Sequence, residues 1–252
     1  MSESREQTVE MSTPQTLTGI FFEPGRTFEA LRARPRFLVA GLVCVLAFMA
    51  FYLTYLQRIG YENQINAEVE VAAQKNDMAP EQKEQARSIQ LKPFVKAIRY
   101  LSPPIVFVII FAFGALLYFL GAMMMGKRIS YKQALSVSAY ASLPPLLIVM
   151  LLNLVILFIK PPTEDAEIAR GLSGLVHANL GMISDPAAAP ALTTALASLD
   201  LFALYGLFLA ALGLRKIARL SSGAAWTIVL VIWFVGVLFK IGISLLTKNA
   251  MG

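Results

Sequence analysis

Residues Leu101–Met125 read LSPPIVFVIIFAFGALLYFLGAMMM and contain no charged side chain. An α-helix rises about 1.5 Å per residue, so about 20 apolar residues cross the roughly 30 Å hydrocarbon layer of a bilayer. This stretch exceeds that length. It predicts a transmembrane helix, and with it an all-α fold built around helices in a membrane.

The composition of the whole chain agrees with this interpretation. Of its 252 residues, 57% are hydrophobic and 15% are charged, whereas an ordinary globular domain has a charged fraction of about a quarter. The formal net charge is +6, but the basic residues lie in short clusters beside the apolar blocks and form no basic stripe with interleaved aromatic residues. We therefore expect membrane lipids as partners and no nucleic acid.

Four further stretches are long and apolar enough to cross a membrane. The predicted spans are Phe37–Leu56, Leu101–Met125, Ala134–Ile159, Ala191–Leu214 and Ala224–Leu246. The fourth contains Asp200 and the fifth contains Lys240. If Asp200 marked the edge of the fourth span, the remainder would be too short to cross, so the prediction places Asp200 inside that span.

The distribution of Lys and Arg predicts the orientation of the chain. The basic residues beside the first span and in the second-to-third and fourth-to-fifth loops are Arg26, Arg32, Arg34, Arg36, Lys127, Arg128, Lys132, Arg215, Lys216 and Arg219. By the positive-inside rule, this side is cytoplasmic, so the N terminus is cytoplasmic and the C terminus lies outside. The first 36 residues show no signal-peptide pattern. The basic residues between the first and second spans oppose the rule, although the rule is weaker for long loops.

Three segments outside the spans are expected to be helical. Residues 1–36 are predicted to form a cytoplasmic segment with an interfacial helix whose Phe and Leu residues face lipid and whose Arg residues meet anionic headgroups. Residues Gln57–Tyr100 are interpreted as helical extensions of the first two spans, interrupted near Asn76–Pro80. The apolar spacing from Ile168 to Ile183 predicts a second interfacial helix on the outer surface.

Several short motifs resemble the Yip-type membrane proteins. These are Phe22–Leu31, with its Pro-x-x-x-Phe pattern, Tyr131–Pro144, Leu199–Phe202 with Leu212–Leu214, and Trp233 with Lys240. The resemblance implies a five-span domain, here residues 37–252, of the kind found in bacterial members. Eukaryotic members interact with Ypt/Rab GTPases, but their N-terminal regions are longer and their outer segments shorter, so a GTPase partner is not carried over.

Asp200 and Lys240 are the sharpest candidates for functional residues. At about 1.5 Å per residue, both are predicted to lie at similar depth in the outer leaflet. An unpaired charge near a span centre costs about 2.5–3.5 kcal/mol on insertion scales. The favoured interpretation is an ion pair that clasps the last two spans. Snorkelling, a shifted boundary and a transport or proton-relay role remain as alternatives.

The third span carries the remaining candidates. Pro144 and Pro145 lie mid-span, where proline removes backbone hydrogen bonds and bends a helix. The carbonyl groups freed near Tyr140 could line a binding cavity, although a bend that shapes packing is the plainer interpretation. Asn153 is expected to form a hydrogen bond to a neighbouring segment.

No recognised catalytic or metal-binding motif occurs in the sequence. The single Cys44 forms no intrachain disulfide, and the single His177 has no companion ligand, so no metal or cofactor is expected. The pattern favours a non-enzymatic scaffold or adaptor, in a bacterial cytoplasmic membrane, that organises lipids, a protein partner or a homo-oligomer. The alternative is a small permease or lipid-moving protein that uses the proline-broken third span and the Asp200/Lys240 pair.

Overall fold

The structure is a computed structural model that describes residues 10–161, 164, 168–169, 175–176, 178–185 and 188–249. Its named elements are all helical. The α-helices are α1 (Thr13–Phe22), α2 (Pro24–Ala33), α3 (Leu38–Ile59), α4 (Tyr61–Asn76), α5 (Pro80–Gln90), α6 (Pro93–Met124), α7 (Tyr131–Ile159), α8 (Pro190–Ala197), α9 (Leu201–Ile217) and α10 (Ser222–Asn249). A 3₁₀-helix covers Leu180–Ile183.

Local sequence signals set several helix ends. Ser12 and Ser130 cap α1 and α7, and a Gln three residues later completes a capping box in each case. Gly126, with φ of 72°, ends α6 in a left-handed turn in which the Lys127 amide donates to the Ala122 carbonyl. These signals position the short connection between α6 and α7.

Four helices are long and apolar enough to cross a membrane, namely Leu38–Ile59, Pro93–Met124, Tyr131–Ile159 and Ser222–Leu245. They cover the predicted first, second, third and fifth spans. Between 11% and 28% of the most apolar window of each helix is buried by protein. Most residues in these windows are therefore at least partly exposed at the surface of the protein, where they can contact lipid.

The prediction of one continuous membrane-spanning helix over Ala191–Leu214 is wrong. The structure divides this region into α8 and α9, and the helix is interrupted at Ser198–Asp200. Helix α9 has 17 residues, which corresponds to about 25 Å, slightly less than the usual thickness of the hydrocarbon core. The interruption arises because the Asp200 side chain caps α9, so Asp200 stands before the helix and not inside it.

Helix α7 lies at the centre of the bundle and packs against α3, α6 and α9. From Ala134 to Pro145 nearly every side chain of α7 is buried, and many are Ala or Ser. Small side chains allow neighbouring backbones to approach closely. Gly206 of α9 faces Pro145 of α7, whereas Gly213 faces Val137, so α9 runs antiparallel to α7.

The N-terminal helices α1 and α2 belong to the same core. Helix α2 packs against α7 and α9, and Ile20, Phe28 and Leu31 are fully buried with residues of the long helices. The expectation that the Phe and Leu residues of this segment face lipid is therefore wrong for Phe28 and Leu31, because protein covers them. Phe22, in contrast, is 85% exposed.

The segment between α3 and α6 is largely helical, as predicted, and its break falls in the expected region. Helix α4 ends at Asn76, the C-cap residue Asp77 has φ of 44°, and Pro80 begins α5. Six of the sixteen residues of the predicted interfacial helix between Ile168 and Ile183 lie outside the described residues, His177 among them. The described residues show that one continuous helix is wrong, because Leu175, Val176 and Ala178 are not helical and the Asn179 backbone is extended. In the described part, Ile168 is buried and the 3₁₀-helix is present.

Candidate functional site

Tyr140 connects α7 to the N-terminal helices. Its side chain is fully buried, and its hydroxyl oxygen lies 2.9 Å from Oγ1 of Thr16 in α1. Thr16 is 1% exposed, so this hydrogen bond satisfies two buried hydroxyl groups. The sequence marked Tyr140, but its partner lies 124 residues away and follows no spacing rule.

Pro144 and Pro145 lie inside α7, and the helix continues through them. The predicted break is therefore not an unwound segment. Prolines at these positions cannot donate to the carbonyl groups of Tyr140 and Ala141. The Ala141 carbonyl oxygen would lie 3.8 Å from a Cβ atom at Gly206, so α9 packs closely against α7 at this point.

Asn153 makes the expected hydrogen bonds to a neighbouring segment. Its Oδ1 accepts hydrogen bonds from the backbone amides of Leu175 and Val176, at 2.8 and 2.9 Å. The Asn153 side chain is 1% exposed. A buried acceptor in α7 therefore satisfies two backbone donors of the connection between α7 and α8 and holds that connection on the bundle.

Asp200 and Lys240 do not form the expected ion pair. Oδ1 of Asp200 accepts hydrogen bonds from the amides of Phe202 and Ala203, at 2.9 and 3.0 Å. Asp200 also forms a β-bridge with Asn179, in which the Leu201 amide donates to the Ala178 carbonyl. Lys240 is exposed on α10, and among the described residues no ion pair includes it. The carboxylate thus serves as the N-cap of α9.

Two ion pairs join helices that lie far apart in the sequence. Nζ of Lys216 in α9 lies 2.5 Å from Oε1 of Glu29 in α2. At the other end of the bundle, Arg99 of α6 pairs with Glu68 of α4, and its Nη1 lies 2.8 Å from Oε1 of Glu68. No sequence signal identifies either pair, because the partners are 187 and 31 residues apart.

Aromatic residues surround the Glu68–Arg99 pair. The rings of Tyr61 and Tyr100 stack at a centroid distance of 6.2 Å, and Nζ of Lys96 lies 5.0 Å from the centroid of the Tyr61 ring. Burial raises the pKa of Tyr61, so its phenol remains neutral at physiological pH. This cluster attaches α4 to the outer part of α6.

The candidate residues do not converge on one reaction centre. Tyr140, Asn153 and Asp200 each form hydrogen bonds with a different segment of the chain. Within the described ranges, no group of three or more His, Cys, Asp and Glu residues could hold a metal ion. Chemically, the arrangement satisfies buried polar groups and fixes helices against one another.

Together, the four long apolar helices and their packing define a helical membrane protein. A family model for the Yip1 domain matches residues 18–243, which is most of the chain, and the protein therefore belongs to the Yip1 domain family. The match confirms the resemblance found in the sequence. No curated protein and no solved structure matches the chain.

The capping role of Asp200 can be tested separately from an ion pair with Lys240. Asp200→Asn keeps the side-chain acceptor and should leave stability nearly unchanged, whereas Asp200→Ala should cost about 0.5–2 kcal/mol of unfolding free energy. Lys240→Ala serves as the matched control and should not destabilise the protein. Unfolding in detergent, followed by circular dichroism, measures these effects. Equal losses for Asp200→Asn, Asp200→Ala and Lys240→Ala would instead indicate an ion pair.

Proposed function

We propose that the protein is a non-enzymatic membrane scaffold or adaptor that organises lipids or protein partners, including further copies of itself. One observation carries this proposal: the polar candidates inside the bundle bond to the protein's own segments. Tyr140 bonds to Thr16, Asn153 to the connection before α8, and Asp200 to the start of α9. A bundle whose polar groups are used in this way is suited to presenting a stable surface.

The surfaces available to partners are large and apolar. Helix α6 exposes Leu101, Ile105 and Val108, by 65%, 59% and 65%. In a membrane these side chains contact lipid or the helices of another protein. The docked α1 and α2 helices and the basic loops add a polar surface at one end of the bundle.

We further propose five membrane crossings, with the N terminus in the cytoplasm and the C terminus outside, in a bacterial cytoplasmic membrane. Helix α9 supports the additional crossing because it runs antiparallel to α7 along the bundle. Helix α10 then starts at the same end as the α6–α7 loop, since Gly121 of α6 lies against Ile228. The excess of basic residues at that end favours a cytoplasmic location.

Cysteine labelling tests this orientation. In a Cys44→Ala background, a membrane-impermeant maleimide added to intact cells with the outer membrane removed should label Asn76→Cys. It should label Ser130→Cys and Ser221→Cys only after the membrane is permeabilised. All three positions are exposed in the protein. Labelling of Ser130→Cys and Ser221→Cys from opposite sides would contradict the crossing by α9, and labelling of both from outside would reverse the orientation.

A second candidate function is that of a small permease or lipid-moving protein. Two observations favour it, namely the interruption between α8 and α9 beside Asp200 and the exposed Lys240. Interrupted helices and charged residues in spans are typical of transport pathways. In this candidate, Lys240 would lie on the transport route.

Two measurements separate these functions. If the protein is a scaffold, photo-crosslinking in native membranes from position 128 in the exposed α6–α7 loop should recover one defined protein partner or a second copy of the chain. Lys240→Ala should leave that recovery unchanged. The scaffold would be contradicted if no defined partner were found among the crosslinked products. Transport would be established if, in addition, proteoliposomes showed a flux of solute or lipid that disappeared in the folded Lys240→Ala variant.

A further inference from the structure

Seven of the ten basic residues at one end of the bundle fall into two groups. In the first group, Arg26 pairs with Glu23 at 3.1 Å, Arg34 pairs with Glu10 at 3.0 Å, and Lys216 pairs with Glu29. These basic side chains are partly neutralised by acidic neighbours. They therefore contribute less to binding of an anionic partner than their number suggests.

The second group is not neutralised in this way. Lys127, Arg128, Lys132 and Arg215 are exposed, and none forms an ion pair with a residue that the structure describes. Lys127 and Arg128 lie in the α6–α7 loop, Lys132 is in the first turn of α7, and Arg215 is in the last turn of α9.

Contacts between helices place these four cations at the same end of the protein. Gln133, next to Lys132, donates from Nε2 to the Arg32 carbonyl oxygen of α2 at 2.8 Å. Gly213, two residues before Arg215, packs against Phe28 of α2. Helix α2 thus contacts the start of α7 and the end of α9, so the four positive charges lie at the same end of the bundle.

Exposed apolar side chains lie directly beside this charge. Met123, Met124 and Met125 precede the loop and are 52%, 87% and 40% exposed. We refer to these three methionines together with Lys127, Arg128, Lys132 and Arg215 as the basic rim. Apolar side chains next to unpaired cations match a phospholipid, whose acyl chains contact the methionines and whose headgroup contacts the cations.

We propose that the basic rim binds anionic phospholipid headgroups and concentrates these lipids around the protein. Anionic phospholipids would then be the lipid class that the proposed scaffold organises. The biological purpose of this binding rests on the proposed scaffold function, whereas the binding itself does not. An acidic protein segment has the charge but lacks acyl chains to cover the methionines. The combination of charge and apolar surface therefore favours lipid.

Trp226 provides a reporter at this level of the bundle. It lies two residues before Ile228, which packs against Gly121 near the end of α6, and it is 36% exposed. The only other tryptophan is Trp233, so a Trp233→Phe background leaves Trp226 as the single emitter. Phospholipids brominated on their acyl chains quench its fluorescence when they are nearby.

The experiment uses nanodiscs of phosphatidylglycerol and phosphatidylcholine at one fixed mole fraction. The quenching of Trp226 is compared between nanodiscs in which only the phosphatidylglycerol is brominated and nanodiscs in which only the phosphatidylcholine is brominated. We expect brominated phosphatidylglycerol to quench Trp226 more strongly than brominated phosphatidylcholine does. Each cation that contacts a headgroup should enrich phosphatidylglycerol around the protein about five-fold, and the quenching should rise with this enrichment. The triple change Lys127→Gln, Arg128→Gln and Lys132→Gln should remove most of this preference. High salt should weaken the preference in the unaltered protein.

The control makes the same change in formal charge at the other end, by Lys83→Gln, Lys92→Gln and Lys96→Gln, and should retain the preference. It also removes the Lys83–Glu70 ion pair and the Lys96–Tyr61 contact. Thermal unfolding checks that both variants are folded. An equal preference in all three proteins, or an equal loss in both variants, would overturn the proposal. An unchanged preference in the charge-removal variant, together with an acidic protein recovered by the crosslinker at position 128 in native membranes, would overturn the proposal and assign the basic rim to a protein partner. Because this assay contains only lipid, its outcome is separate from that of partner recovery.

Discussion

The close approach of three helices at Gly213 is the constraint on which the rest of the bundle depends. A Cβ atom at Gly213 would lie 2.9 Å from the ring of Phe28 in α2 and 3.1 Å from Cγ1 of Val137 in α7. In a membrane, lipid tails are as apolar as leucine, so association of helices depends on close packing and on hydrogen bonds. The glycine permits that packing and joins the N-terminal helices, the central helix α7 and α9 in one core.

Hydrogen bonds to polar side chains stabilise the segments where the chain is not helical. Away from water, backbone amides without a partner are costly, and two irregular segments meet this requirement with side chains. Asn153 accepts from the amides of Leu175 and Val176, and Asp200 accepts from those of Phe202 and Ala203. The polar residues of the bundle thus stabilise the places where the chain departs from a regular helix, and this use agrees better with a scaffold than with a transport route.

The sequence was sufficient to predict the four long helices because an apolar run of this length with at most one charged residue has few alternatives. It was insufficient at Ala191–Leu214, where an apolar run gives no sign of an internal interruption and Asp200 is compatible with either a pair or a cap. The burial of Phe28 by protein could not be predicted either, because an apolar helix face can pack against lipid or against protein. The Thr16–Tyr140 and Glu68–Arg99 contacts join residues far apart in the chain, and only the packed structure brings them together.

A comparison of Gly213→Ala with Gly236→Ala tests the central packing most directly. Nothing lies within 4 Å of a Cβ atom at Gly236, and alanine favours a helix over glycine by about 1 kcal/mol, so this control should be neutral or stabilising. Gly213→Ala should instead lower the free energy of unfolding in detergent by about 1–3 kcal/mol through overpacking, and Phe28→Leu should recover part of that loss. If Gly213→Ala were as stable as Gly236→Ala, the close contact among α2, α7 and α9 would be contradicted.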